Sequence, residues 1–248
     1  MFATRNSSSL SDFSIDTRRN RVIWFSLAFQ AGWINAGGFL ACHRFVSHVT
    51  GFATQFGVDI AEFRWTDATG MLTVPLFFLM GSMISAFFVD RKISHGQKGQ
   101  FHILFFLMSL FLFLVTIFGS LGYFGRFGAP HDILTDYLLI ALLCLSSGIQ
   151  NAAVSTSSNN FVRTTHLTGI TTDLGVGVVR VFSQSNPATQ KIETHKNQIR
   201  MLLVAAFTIG SAFSAITFLK ISYIGFAIPT AISFSLFIFA LKGAQTHA

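Results

Sequence analysis

The chain has 248 residues, of which 51% are hydrophobic and only 11% charged, where a soluble domain carries about a quarter charged residues. With a mean hydropathy of +0.57, most of its surface must face something other than water, which excludes an ordinary soluble domain; 30 Phe against 4 Pro also exclude a disordered one. The net charge of +7 comes from short Lys/Arg clusters between apolar runs rather than from one basic face, so it speaks for topology and against nucleic-acid binding.

Residues 1–20 are polar and Ser-rich and end in Arg18, Arg19 and Arg21. A signal peptide would have a shorter apolar core and a small-residue cleavage site, so this stretch is expected to be a cytoplasmic tail before an uncleaved first span. A helix needs about 20 mostly apolar residues to cross about 30 Å of hydrocarbon. Six stretches qualify: Val22 to Ala41, Thr69 to Val89, Phe101 to Gly122, Leu134 to Val154, Met201 to Leu219 and Ile221 to Leu241. Val46 to Phe63, with His48 and Asp59, and Thr165 to Phe182, with His166, Asp173 and Arg180, are rich in Thr and Gly. A charge at the bilayer centre costs about 3 kcal/mol, so these two segments are expected to be re-entrant or packed inside the bundle. The stretch from Ser183 to Arg200 reads as a solvated connection.

Cytoplasmic loops carry the excess of Lys and Arg. With six spans and both termini cytoplasmic, only Arg44, Arg64, Arg126 and Lys220 of the 17 Lys and Arg residues fall outside. With eight spans Arg91, Lys92 and Lys98 move outside with Arg44, Arg163 and Lys220, so six spans are preferred.

Blocks of the first half recur in the second, in the same order and at a nearly constant offset. Gly32, Asn35 and Ala36 return as Gly148, Asn151 and Ala152; Phe45-Val46 returns as Phe161-Val162; His48-Val49-Thr50-Gly51 returns as His166-Leu167-Thr168-Gly169, followed by Thr54 and Gly57 against Thr172 and Gly175. Gly81-Ser82-x-x-Ser85-Ala86 returns as Gly210-Ser211-x-x-Ser214-Ala215. Such a repeat determines the architecture. Three full spans per half oblige the second half to enter from the opposite side. The expected fold is therefore an all-α polytopic transmembrane helix bundle of six full spans plus two interrupted or re-entrant segments. Residues 21–124 and 125–242 form an inverted internal repeat, and 243–248 a short tail. Inverted repeats with interrupted segments at matching places are a pattern of secondary transporters.

Asn35 and Asn151 each share a helix face with the glycine three residues before them, Gly32 and Gly148. Each amide either bonds across helices or lines a solute path. In the two His-x-Thr-Gly elements, Gly51 and Gly169 allow close contact or unusual backbone, Thr50 and Thr168 can satisfy freed backbone groups, and His48 and His166 titrate near neutral pH. Asp59 and Asp173 are intramembrane acids and functional candidates by default; Asp173 could equally pair with Arg180, about two turns later. The candidate substrate or ion path is thus Asn35, His48, Thr50, Asp59, Asn151, His166, Thr168 and Asp173. Gly32, Gly51, Gly81, Ser85, Gly148, Gly169, Gly210 and Ser214 are assigned to helix packing.

No HExxH, GxSxG, Walker loop or dinucleotide fingerprint occurs, so no enzyme activity, catalytic residue or cofactor is expected. Cys42 and Cys144 lie in apolar runs without ligand spacing, so neither a disulfide nor a metal site is expected. Expected partners are the lipid bilayer and a small polar solute or ion, with a second copy of the chain also admitted.

Gly32-Trp33-Ile34-Asn35-Ala36, Phe45-Val46-Ser47-His48-Val49-Thr50-Gly51, Gly148-Ile149-Gln150-Asn151-Ala152, Thr168-Gly169 and Thr171-Thr172-Asp173-Leu174-Gly175 resemble the YoaK family of bacterial membrane proteins, also filed as a domain of unknown function. The resemblance covers roughly Arg21 to Leu241. It implies a multi-spanning protein of the bacterial cytoplasmic membrane and names no substrate. Members often have Asp where Asn35 stands and Asn where Phe52 stands, so any cation or proton coupling through those positions would be lost here. The alternative to transport is a non-transporting membrane scaffold or partner subunit.

Overall fold

The computed structural model describes residues 17–129 and 133–245; the polar stretch before Thr17, with Arg5, and the residues after Gln245 lie outside them. No strand occurs among the described residues. The helices are α1 (Arg18–Cys42), α2 (Val49–Ala61), α3 (Trp65–Ser85), α4 (Arg91–Ser94), α5 (Phe101–Ser120), α6 (Ile133–Ser157), α7 (Leu167–Ser183), α8 (Pro187–Ile221) and α9 (Ala227–Gln245). A π-helical turn, Ala86–Asp90, joins α3 to α4, and a 3₁₀ turn, Ser222–Phe226, joins α8 to α9.

Four helical runs among the described residues are long and apolar enough to cross a membrane: Trp65–Ser94, Phe101–Ser120, Asp136–Ser157 and Pro187–Gly243, the last taking in both α8 and α9. Helix α1 is not one of them, for a physical reason. It is a central helix whose Gln30, Gly32, Asn35, Gly37 and Gly38 face protein and need not satisfy lipid. Helix α6 is central too, with 72% of its most apolar window buried, against 22% for α3 and 39% for α5. The outward rows of α3 (Leu72, Leu76, Leu79, Met83) and α5 (Phe106, Leu110, Phe113, Ile117) are exposed, a surface compatible with an integral membrane protein.

Two close crossings organise the bundle: α1 against α8, and α3 against α6. At the first, a β-carbon on Gly32 would collide with the carbonyl oxygen of Phe207, and one on Gly210 with that of Phe29. Ser211 Oγ donates to the Gly32 carbonyl at 3.2 Å and Ser214 Oγ to that of Trp33 at 2.8 Å. At the second, β-carbons on Gly148 and Gly81 would collide with the carbonyls of Phe78 and Leu145, and Ser82 Oγ donates to the Gly148 carbonyl at 3.3 Å. Ser85 is buried beside this crossing, its hydroxyl without a partner.

The structure departs from the sequence expectations in two places. The segments expected to be interrupted or packed inside the bundle form single unbroken helices, α2 and α7, at its periphery. Only Phe52 and Asp59 of α2 and Ile170 and Gly177 of α7 are buried, where the helices lean on α3 and α8 respectively. Thirteen residues of α2 rise about 20 Å, too little to span about 30 Å of hydrocarbon. The supposed loop Ser183 to Arg200 is helical from Pro187. Asn186 caps it, accepting from Ala188 N at 2.9 Å, and Pro187 sits where a helix tolerates a missing N–H. Its buried Glu193 and Asn197 lie on the side that faces α7, where Asn197 stands beside Gly177, so the polarity of this stretch reflects an amphipathic helix rather than a solvated link.

Replacing Gly32 or Gly148 by Ala is expected to lower stability by about 1–3 kcal/mol, because the new methyl strikes main chain that cannot retreat. Gly57→Ala, whose β-carbon would meet nothing within 4 Å, should be neutral or slightly stabilising. Thermal melts of the three variants in detergent check this.

Candidate functional site

The site is built where the chain turns back after α1 and after α6. Helix α1 ends at His43, whose left-handed backbone (φ 54°) sends its N–H to the Phe39 carbonyl. The chain then re-enters the bundle instead of leaving it. Val46 is fully buried against Gly38 and accepts from Cys144 Sγ at 3.3 Å, and Ser47 Oγ donates to Asn35 Oδ1 at 2.9 Å. Ser47 thus stands beside a residue nearly two turns before the helix end.

The second half does the same with different residues. Asn159 and Asn160 adopt positive φ after α6. Ser158 Oγ accepts from Val162 N at 2.9 Å, Val162 is fully buried, and Gln150 Nε2 donates to Thr164 Oγ1 at 3.1 Å. In both turns buried groups find partners: a thiol and a hydroxyl bond the main chain at Val46 and Val162, and amides pair with the hydroxyls of Ser47 and Thr164.

Each turn delivers a histidine to the N-cap of a short helix, His48 to α2 and His166 to α7. His48 is half-buried and His166 exposed. Burial, and after it the charge of His166, hold the His48 imidazole below its ordinary pKa. Thr50 and Thr168 follow, exposed, in the first turns; Thr54 and Thr172 hydroxyls donate to their carbonyls at 3.3 and 3.0 Å. The N-terminal end of each helix adds positive dipole character near its own histidine.

The remaining predicted residues are distributed as follows. Gly51 and Gly169 touch no second helix; their β-carbons would meet the side chains of His48 and His166, so the packing expected of them is not made. Asn35 is buried and bonded to Ser47, whereas Asn151 has a buried Oδ1 without a hydrogen-bond partner. Asp59 is buried at the far end of α2, where Arg64 Nη2 at 2.5 Å and Gln55 Nε2 at 2.9 Å hold the same oxygen. Arg64 also contacts Glu62 and Asp67. Asp173 is exposed two turns along α7, and no ion pair with Arg180 forms. Neither aspartate lies at the histidine-bearing helix starts: Asp59 is held at the far end of α2 and Asp173 is exposed along α7.

A polar core cluster was not anticipated. Gln30 Nε2 donates to Gln150 Oε1 at 2.9 Å, Ser233 Oγ donates to Gln30 Oε1 at 3.1 Å, and Gln150 Nε2 also reaches the Leu27 carbonyl at 2.8 Å. It ties α1, α6 and α9 together at complete burial. Lone amides inside apolar runs were the available signal, since an unpaired amide in lipid is costly. Among the described residues no group of His, Cys, Asp and Glu is arranged to hold a metal.

The family model described as "Protein of unknown function (DUF1275)" matches residues 23–239. The chain belongs to the DUF1275 family. That is the family to which YoaK-like proteins are assigned, so the family expectation is met. No curated protein and no solved structure matches it.

Burial pushes the Asp59 carboxyl up, but hydrogen bonds from Arg64 and Gln55 and the charges of Arg64 and Arg44 outweigh it and leave its pKa below 3.8. A depressed carboxylate stabilises the fold above its unfolded pKa and the contribution is lost as pH falls through the folded value. Asp59→Asn should therefore cost about 1.5–3 kcal/mol at neutral pH. In melts recorded below pH 4 the gap to the wild-type chain should close.

Proposed function

We propose that this DUF1275 protein is an integral membrane protein of the bacterial cytoplasmic membrane that moves a small polar solute or ion between two inverted halves. In this reading six segments span: α1, α3 with α4, α5, α6, α8 and α9, with both termini cytoplasmic. The observation that carries it is the pair of chain reversals after α1 and α6, each anchored in the bundle by buried side chains and each setting a histidine, His48 or His166, at the start of a short helix. Support for an internal repeat, though not for its inversion, comes from the two crossings, where Gly32 with Gly210 and Gly148 with Gly81 make equivalent carbonyl contacts. The path would run past His48, Thr50, His166 and Thr168, with Asn151 beside it and Asp173 at its rim. No catalytic step and no cofactor are assigned.

Membrane charge asymmetry supplies the orientation: Arg91, Lys92, Lys98, Lys191, Lys196 and Arg200 fall on one side. A periplasm-active reporter fused after Gln97, Gly128 and Gln184 should be silent, active and silent. Activity at Gln97 would instead support eight spans and parallel halves.

Purified protein in liposomes, tested with a panel of small solutes and ions, should give flux that His48→Ala, His166→Ala or Asn151→Ala reduces severalfold while the melting temperature in detergent is kept. A tight bilayer under every gradient would count against transport. It would favour the second reading, a membrane scaffold or partner subunit. The internally satisfied Gln30–Gln150–Ser233 cluster and the Asn35–Ser47 bond favour that reading, as they would serve cohesion alone.

A further inference from the structure

Away from the two histidines, the hairpin between α3 and α5 borders an open-sided cavity that the transport reading leaves unused. The run Trp65–Ser94 is 30 residues long, a rise of about 45 Å against about 30 Å of hydrocarbon. With the apolar stretch in hydrocarbon, its charged end, carrying Asp90, Arg91, Lys92 and Ser94, would lie in the headgroup layer. The π turn Ala86–Asp90 contributes a specific register. The N–H of Arg91 reaches back to the Ala86 carbonyl, five residues earlier, and the Arg91 guanidinium lies over the Phe87 ring at 5.1 Å.

The chain then reverses tightly. His95 Nδ1 lies 2.7 Å from the Arg91 carbonyl, Gly96 takes positive φ (72°), Gln97 N donates to Lys92 O at 2.9 Å, and Gln100 N donates to Phe88 O at 3.1 Å. Between this hairpin and the helix end lies a cavity of about 320 Å³ lined by Phe87, Arg91, Lys92, His95, Gln97 and Gln100. Among the described residues no carboxylate pairs with Arg91 or Lys92; the neighbouring Asp90 is exposed.

We propose that this cavity is a binding site for the phosphate of an anionic lipid headgroup. A forked guanidinium, an ammonium and two side-chain amides supply donors suited to phosphate oxygens. Phe87, 55% exposed, offers an apolar surface where the acyl chains begin. The bilayer presents phosphates at this depth, and basic pockets between spans on the cytoplasmic side are suited to them. The inference rests on membrane insertion, and not on transport.

The full chain, purified in neutral detergent, should retain phosphatidylglycerol in native mass spectrometry and melt at a higher temperature when that lipid is titrated in. Arg91→Gln with Lys92→Gln should weaken retention by about thirtyfold. The exchange Arg91→Lys with Lys92→Arg should keep most of it, and Arg126→Gln with Lys220→Gln, equal in charge lost but remote in sequence, should leave it unchanged. Melts with phosphatidylcholine alone should be the same for all four proteins, which separates lost binding from lost folding; should the first pair fail to fold, Lys92→Gln alone must still weaken retention. Equal retention by the Gln pair or by that single variant overturns the site. A melting shift of the same size with inorganic phosphate overturns the lipid source and makes this a site for a soluble phosphate.

Discussion

At the crossing of α1 and α8, and again at that of α3 and α6, two helix backbones approach until a glycine Cα of each faces a carbonyl oxygen of the other. Lipid tails are as apolar as Leu or Phe side chains, so burying those side chains adds little drive to helix association in a membrane. Dispersion contacts over closely fitted backbones and hydrogen bonds between helices must supply it instead. The serine hydroxyls beside these glycines convert close approach into directional bonds, from Ser211 and Ser214 to the carbonyls of Gly32 and Trp33 and from Ser82 to that of Gly148. These contacts hold α1 against α8 and α6 against α3, with α1 and α6 in the centre of the bundle.

With α1 and α6 held there, the bundle can admit polar groups that lipid would reject. Gln30 and Gln150 find each other and Ser233, and the returning chain finds Asn35 and Gln150 as anchors. The reversals need those anchors, since non-helical backbone at depth survives only when protein satisfies it. Helices α2 and α7 then start beside the interior and run along the outside, each with a broad exposed face. That arrangement joins the fold to the transport proposal: titratable groups stand at two helix starts, where dipoles favour negative charge.

Much of the bundle was legible from local pattern. Apolar runs marked the helices, and the small-residue spacings at Gly81 with Ser85 and Gly210 with Ser214 marked close packing; both glycines make that contact. The start of α8 was legible in principle and was misjudged, because Thr, Lys and His between Asn186 and Arg200 outweighed the Asn-Pro helix start. Gly51 and Gly169 were misassigned for a related reason. A glycine near a helix start reads as a contact point, yet here each lies against its own N-cap histidine.

The amino-acid sequence determined that this chain avoids water, that it is helical, where its positive charge clusters and which short blocks occur twice. Those properties follow from composition and from neighbours a few residues apart, so a linear reading captures them. Only the tertiary structure decided which carbonyl each glycine meets, that Asn35 is satisfied by Ser47 while the Oδ1 of Asn151 is left without a partner, and that Asp59 is tied up by Arg64. Those contacts join residues from separate segments across turns, and turn geometry combined with helix crossing, rather than any local period, determines where such residues end up.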